Sequence, residues 1–267
     1  MIFCLDKWSH YSNGPQVGLL SLQSQAYKEV SPYPFDILNA ESQGMIGYIL
    51  QQSIYNNTKT KLATTILTQV LVDQEDQAFN IPSKPIGPFY DEQQKKLIQE
   101  KYQWQFIKDG NLWRRIVPSP KPLEVIEVEA ILKLLSAGSI VIAGGGGGIP
   151  CIRKNNELIG SEAVIDKDLT ASLLAKELKA DTFIILTDVD AIYENFGKTD
   201  SKPIRKISTT ELQKHSFPAG TMQPKVDAVC DFVLTSGNEA FIGNLNELEL
   251  ILEKKKGTLI WTLDKLV

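Results

Sequence analysis

The sequence predicts an α/β fold with a mostly parallel central sheet. Three observations carry that expectation. Short uninterrupted apolar runs at residues 139–143, 182–187 and 258–262 have the length of strands buried on both faces. Segments with apolar residues at helical spacing alternate with them, at 127–137, 169–178, 224–232 and 245–252. The composition, 43% hydrophobic and 22% charged over 267 residues, is that of an ordinary globular protein and excludes a collagen-like, coiled-coil or disordered chain.

The elements follow in order. Ser12-Asn13-Gly14-Pro15-Gln16 has turn chemistry and opens onto Val17, Leu19, Leu20 and Leu22, which predicts a helix. A second helix is expected over 40–55, with Met45, Ile46, Ile49 and Leu50 on its apolar face. The β-branched run 64–72 reads as one strand. Residues 74–115 are polar, with Pro82, Pro85 and Pro88, and read as a protruding lid rather than sheet core. A rigid connector, 118–122, closes that subdomain, here taken as 74–122 within a single domain spanning 1–267. A helix, the strand 139–143, the helix 169–178, the strand 182–187, the helix 224–232, a short strand at 240–242, the helix 245–252 and a last strand complete the alternation.

Composition also bounds the partners. A net charge of −4 gives no electrostatic reason to expect nucleic acid. The longest notable uncharged stretch, 134–152, is broken by Gly138 and by five glycines at 144–148, so no membrane span is expected. Cys4, Cys151 and Cys230 are far apart and form no CxxC pair, which suggests neither a disulfide framework nor a zinc site. The first residues lack a basic segment ahead of an apolar core, so the expected setting is a reducing cytoplasm.

Several motifs are candidates for chemistry. The five glycines follow an apolar strand, where amides free of side chains can approach a phosphate; a plain strand-to-loop exit is the other reading. Asn13 and Gly14 form either an anion-facing helix start or an ordinary capped turn. Asp166-Lys167-Asp168 opens a helix, as a capping cluster or with a lysine held toward a moving phosphoryl group. Asp188 and Asp190 end the strand 182–187, at the sheet edge where ligands bind in open α/β folds. In Gly220-Thr221-Met222-Gln223-Pro224-Lys225, Pro224 suits a first helical turn, and a cation there opposes the helix dipole, which favours anion binding. His10 and His215 are the only histidines, and the polar surroundings of His215 predict exposure. Glycine loops, two lysines and sheet-edge aspartates together describe phosphoryl transfer without a histidine base. That is coherent when the acceptor is already an anion.

Eight segments carry a resemblance: SNGPQVG (12–18), ESQGMIGYILQ (41–51), KPIGPFY (84–90), WRRIVPSPKP (113–122), IVIAGGGGGIPC (140–151), EAVIDKDLTASLLA (162–175), LTDVDAIY (186–193) and MQPKVDA (222–228). In this order they resemble the carbamate kinase branch of the amino acid kinase family. The resemblance implies an open three-layer αβα sandwich, a homodimer, and the reversible reaction of ATP with carbamate to give ADP and carbamoyl phosphate, with Mg²⁺. It further implies ATP synthesis in arginine deimination. By position, Lys167 and Lys225 match the lysines that stabilise the transferring phosphoryl, and Asp168 the aspartate that orients them. Gly145, Gly146, Asp188, Ala191, Tyr193, Met222 and Pro224 match nucleotide-side stretches. Asn13, Gly14 and Lys84 match the acceptor side. One departure stands out: family members carry a strand and a Gly-Gly-Asn turn about 40 residues ahead of NGPQVG, whereas Met1 here lies twelve residues before Asn13. The expectation is an N-terminally truncated chain with a vacated strand position in the sheet. Two other readings follow: a relative that binds nucleotide or a partner subunit without turnover, and a kinase of the same fold acting on an N-acyl amino acid or a nucleoside monophosphate.

Overall fold

A computed structural model describes residues 2–4, 8–27, 29–217 and 222–263, with backbone alone over 2–4 and 8–10. Its centre is an eight-stranded sheet in the order Lys206–Ser208, Thr258–Trp261, Glu239–Asn244, Thr182–Thr187, Ile2–Cys4, Trp8–His10, Ile140–Ile142, Ala63–Thr65. Thr182–Thr187 runs parallel to Glu239–Asn244, and Ile140–Ile142 runs parallel to both of its neighbours. Ile2–Cys4 is antiparallel to the strands on either side. The expected vacated strand position is therefore not seen: Ile2–Cys4 keeps the sheet continuous between Thr182–Thr187 and Trp8–His10.

The apolar run 182–187 is buried on both faces, as its lack of alternation requires. Phe183 and Ile185 enter the main core, where Phe183 meets Phe232 at 5.3 Å between ring centroids. Ile184 and Leu186 point the other way, onto Phe241 and Ile251. Helices Lys167–Glu177 and Gln223–Ser236 cover one face and Leu248–Leu252 the other, so the sheet lies between two helical layers. No helix among the described residues is long and apolar enough to cross a membrane.

Two expectations are corrected. Residues 64–72 are not one strand. Ala63–Thr65 belongs to the main sheet, and Gln69–Val72 belongs to a second, four-stranded sheet with Glu157–Gly160, Ile149–Lys154 and Pro122–Val125. The break is fixed at buried Thr68, whose amide donates to Gln43 Oε1 (2.8 Å) and whose hydroxyl accepts from the Gly144 amide (2.8 Å). The neighbouring chain through Ile140–Ile142 and Ile149–Lys154 turns at the same level, so the two segments stay paired across both sheets. The second correction concerns the helix at 40–55, which spans Phe35–Thr58. Ile46 and Leu50 pack partly inward, but Met45 and Ile49 are exposed. The face that is buried is largely polar: Leu38, Asn39, Ser42, Gln43 and Gly47.

Within 74–122, strands Lys84–Tyr90, Leu112–Val117 and Gln105–Asp109 form an antiparallel sheet of their own beside helix Glu92–Tyr102. That helix starts on a capping box between Asp91 and Gln94. Lys95 lies over the Trp113 ring at 3.7 Å, and Tyr90 meets Phe106 edge to face.

Candidate active site

Helices Lys167–Glu177 and Gln223–Ser236 lie side by side and point the same way. Asp168 meets Lys225 at their starts, while Ser172 and Lys176 both meet Asp231 further along. Each helix leads into one of two adjacent parallel strands, so both helix N-termini open on the edge where those strands end. Such termini carry partial positive charge and suit anions.

Three lysines are gathered there. Lys167 Nζ donates to Asp168 Oδ2 at 2.9 Å, and Lys225 Nζ reaches the same oxygen at 3.3 Å. Asp166 caps the first helix by accepting from the Asp168 amide (2.9 Å), and its other oxygen holds Lys84 Nζ at 2.9 Å. Asp168 is 1% exposed, so its carboxylate depends on the two ammonium groups for solvation. Its Oδ1 has no hydrogen-bond partner among the described residues. Burial raises the pKa of Asp166, but Lys84, Lys167 and the Asp168 amide outweigh it and hold the group below the ordinary aspartate value. Three ammonium groups against two carboxylates leave a positive excess beside two helix N-termini, an arrangement that stabilises a polyanion.

Asn13, Gly14 and Lys84 line one cleft of about 580 Å³, together with Pro15, Gly87 and Arg114. Helix Gly14–Ala26 starts here, but Asn13 does not cap it: the side chain donates to Ser42 Oγ (2.6 Å) and Asn39 Oδ1 (3.3 Å) on the neighbouring helix. Asn13 is thereby locked, and the polar stripe of helix Phe35–Thr58 is its support.

The glycine run is held largely by acceptors of the chain itself. The amides of Gly144, Gly146, Gly147 and Gly148 donate to Thr68 Oγ1, Tyr11 O, Gly144 O and Gly145 O, so four of the five are spent within the chain. A Cβ on Gly145 would sit 2.3 Å from the Tyr11 ring, and one on Gly146 2.0 Å from the Asn13 side chain. The glycines permit Tyr11 and Asn13 to pack on the loop. Gly147 likewise lets Ile165 O approach, and its carbonyl accepts from Thr170 of the lysine-bearing helix.

Asp188, Ala191 and Tyr193 follow strand Thr182–Thr187 on the same sheet edge but are not members of the lysine–aspartate chain. Asn244 Nδ2 donates to Asp188 O at 3.0 Å, Ala191 is buried, and the Tyr193 hydroxyl donates to Asp190, which also pairs with Arg205 at 2.9 Å. Met222 packs on the main core ahead of Pro224, which occupies the first turn of helix Gln223–Ser236. The turn at Gly220 and Thr221 lies outside the described residues. His215 is half-buried rather than exposed. Sequence reasoning missed the grip of Asp166 on Lys84 across 82 positions. It also missed the stripe Asn39, Ser42, Gln43, although its i, i+3, i+4 spacing was visible. Among the described residues no three His, Cys, Asp or Glu side chains group as a metal site.

Comparison with known proteins shows the family. Residues 19–244 match the sequence profile of the Amino acid kinase family. A carbamate kinase of Escherichia coli (strain CFT073) is 47% identical over 250 residues, 94% of this chain and 83% of the relative. A carbamate kinase of Rhizobium meliloti is 45% identical over 254 residues, covering 94% and 78%. The structure of carbamate kinase from Giardia lamblia bound to AMP-PNP superposes with a TM-score of 0.88 at 41% identity, over 96% of this chain and 84% of that one. With the same fold and this level of identity over most of its length, the chain belongs to the amino acid kinase family, in its carbamate kinase branch.

Proposed function

We propose that this protein is an ATP:carbamate phosphotransferase, interconverting ATP plus carbamate with ADP plus carbamoyl phosphate. One observation carries the reading: Lys167 and Lys225, from two helix starts, converge on a single oxygen of buried Asp168, with Lys84 tied alongside through Asp166. In the forward direction a carbamate oxygen attacks the γ-phosphorus and the bond to the β,γ-bridging oxygen breaks, leaving ADP. The attacking oxygen is already anionic, so no proton need be removed and no histidine base is required. Lys167 and Lys225 neutralise the equatorial oxygens of the moving phosphoryl, and Asp168 holds both ammonium groups in place.

Asn13, Gly14 and Lys84 take the acceptor side, supported by their shared cleft. Asp188, Ala191, Tyr193, Met222 and Pro224 take the nucleotide side, supported by their position on the same edge. Gly145 and Gly146 contribute by seating Tyr11 and Asn13. Mg²⁺ enters with the nucleotide as counter-ion of its phosphates and is part of the substrate. The 74–122 unit acts as a lid subdomain over the acceptor cleft. The proposal extends to a cytoplasmic role in arginine deimination, running toward ATP. It also extends to a homodimer: Tyr48, Ile49 and Tyr55 are each more than half exposed beside the edge strand Ala63–Thr65, a combination that partnering relieves.

The test is ATP formation from ADP and carbamoyl phosphate in the presence of Mg²⁺, followed by a coupled assay alongside calorimetric titration of ADP. Turnover is expected. ADP binding without ATP formation overturns the reading, and so does a clear preference for an N-acyl amino acid or a nucleoside monophosphate in an acceptor panel.

A further inference from the structure

Strand Leu112–Val117 presents Arg114 and Arg115 to opposite sides. Arg114 lines the acceptor cleft, whereas Arg115 turns inward and is 7% exposed. Arg115 Nη2 donates to Glu162 Oε1 at 2.7 Å. Its guanidinium lies between two rings, 3.6 Å from that of Trp104 in the protruding unit and 4.7 Å from that of Phe35 at the start of the long helix. The second oxygen of Glu162 accepts from the Phe35 amide (2.8 Å), so one carboxylate receives both the protruding unit and a helix N-terminus.

Glu162 belongs to the short segment 161–166, which ends at the lysine-bearing helix. Within it Val164 donates its amide to Pro118 O (3.0 Å), Ile165 O fits against Gly147, and Asp166 holds Lys84. In the protruding sheet Arg115 is the register partner of Ile86, two residues from Lys84. The protruding unit is thus attached three times to one six-residue segment, by Arg115 to Glu162, by Pro118 O to the Val164 amide and by Lys84 to Asp166.

We propose that Arg115 is a positioning residue: stacked between the Phe35 and Trp104 rings and paired with Glu162, it sets the protruding unit so that Lys84 stands beside the two phosphoryl lysines. Arg115 touches no reacting atom and acts through Lys84. A planar guanidinium suits this task, since it stacks on rings while donating in its own plane, and an ammonium does not. The inference rests on the kinase reading given above.

The experiment is a double-mutant cycle between Arg115→Met and Lys84→Ala, with Arg115→Lys as the variant that keeps the charge. Arg115→Met is expected to raise the KM for carbamoyl phosphate by about tenfold while the calorimetric Kd for ADP stays within about twofold. In the Lys84→Ala background the same change is expected to add less than about twofold, because its effect passes through Lys84. Arg115→Lys is expected to follow Arg115→Met. Additive losses, an unchanged KM, or full rescue by lysine overturn the proposal. Amide exchange gives a reading independent of turnover: Arg115→Met is expected to speed exchange over residues 84–90. Should the wild-type protein make no ATP, the kinase reading falls, yet unchanged exchange in the variant would still dispose of the clamp.

Discussion

At the residue scale, the proposed roles divide between groups that meet the phosphoryl and groups that hold them. Lys225 sits in a first helical turn, where a cation is disfavoured by the dipole, and is retained by Asp168 on the neighbouring helix. With the role proposed for its charge in the transition state, Lys225→Ala should lower kcat by about 10²-fold or more with a much smaller change in ADP affinity, read by steady-state kinetics and calorimetry. The thiols behave oppositely. Burial pushes Cys151 up to about 11 and Cys230 up to about 12, with nearby carboxylates adding to the effect. Both remain protonated at pH 8, and the thiolate is the nucleophile, so iodoacetamide should label them slowly in the native protein and rapidly in urea, as followed by peptide mass mapping. Both lysines were legible in the sequence because each sits in a motif whose local chemistry is odd: a lysine between two aspartates, and a lysine after a helix-starting proline. The tie from Asp166 to Lys84 was not legible, since it forms only when the protruding sheet folds back on the helix.

At the element scale, helix Phe35–Thr58 is tied to the glycine loop, with Gln43 Nε2 donating to Gly145 O at 3.1 Å. Gly146 has a φ of +69° and no room for a Cβ beside Asn13, so Gly146→Ala should cost roughly 2 to 4 kcal/mol of stability, measurable by urea unfolding. Asp166 gives a pH signature. Its folded-state pKa lies below the ordinary 3.8, so its contribution to stability is intact above that value and is lost as pH falls through the depressed one. Asp166→Asn should therefore destabilise the protein at neutral pH, and the gap to wild type should close in acid, as unfolding curves across pH 2 to 7 would show (about the range set by carboxylate titration). Apolar periodicity identified helices Val128–Ser136 and Gln223–Ser236 because their buried faces are greasy. It also found helix Phe35–Thr58 but not its buried face, since the inward stripe is amide and hydroxyl and the outward face carries Met45, Tyr48 and Ile49. The run 64–72 misled for another reason: β-branched residues mark extended backbone without saying which of two sheets it joins.

At the scale of the whole molecule, the central strands were readable and the surroundings were not. Strand Thr182–Thr187 announces itself by six residues without a charge, but the continuity of the sheet through Ile2–Cys4 has no counterpart in local pattern. The exposed apolar side chains beside Ala63–Thr65 lead to a prediction about assembly: the wild-type protein should sediment as a dimer, and Ile49→Asp should shift it to monomer without unfolding it, since that side chain is 56% exposed in the single chain. A monomeric wild type by analytical ultracentrifugation would remove the assembly from the proposal. The lysines and aspartates have a consequence of their own. Lys84, Asp166, Lys167, Asp168 and Lys225 form a line of alternating sign that starts and finishes on a cation. An odd row of this kind attracts whatever small oxyanion the buffer offers. Inorganic sulfate should accordingly compete with carbamoyl phosphate, and catalytic efficiency should fall as ionic strength climbs.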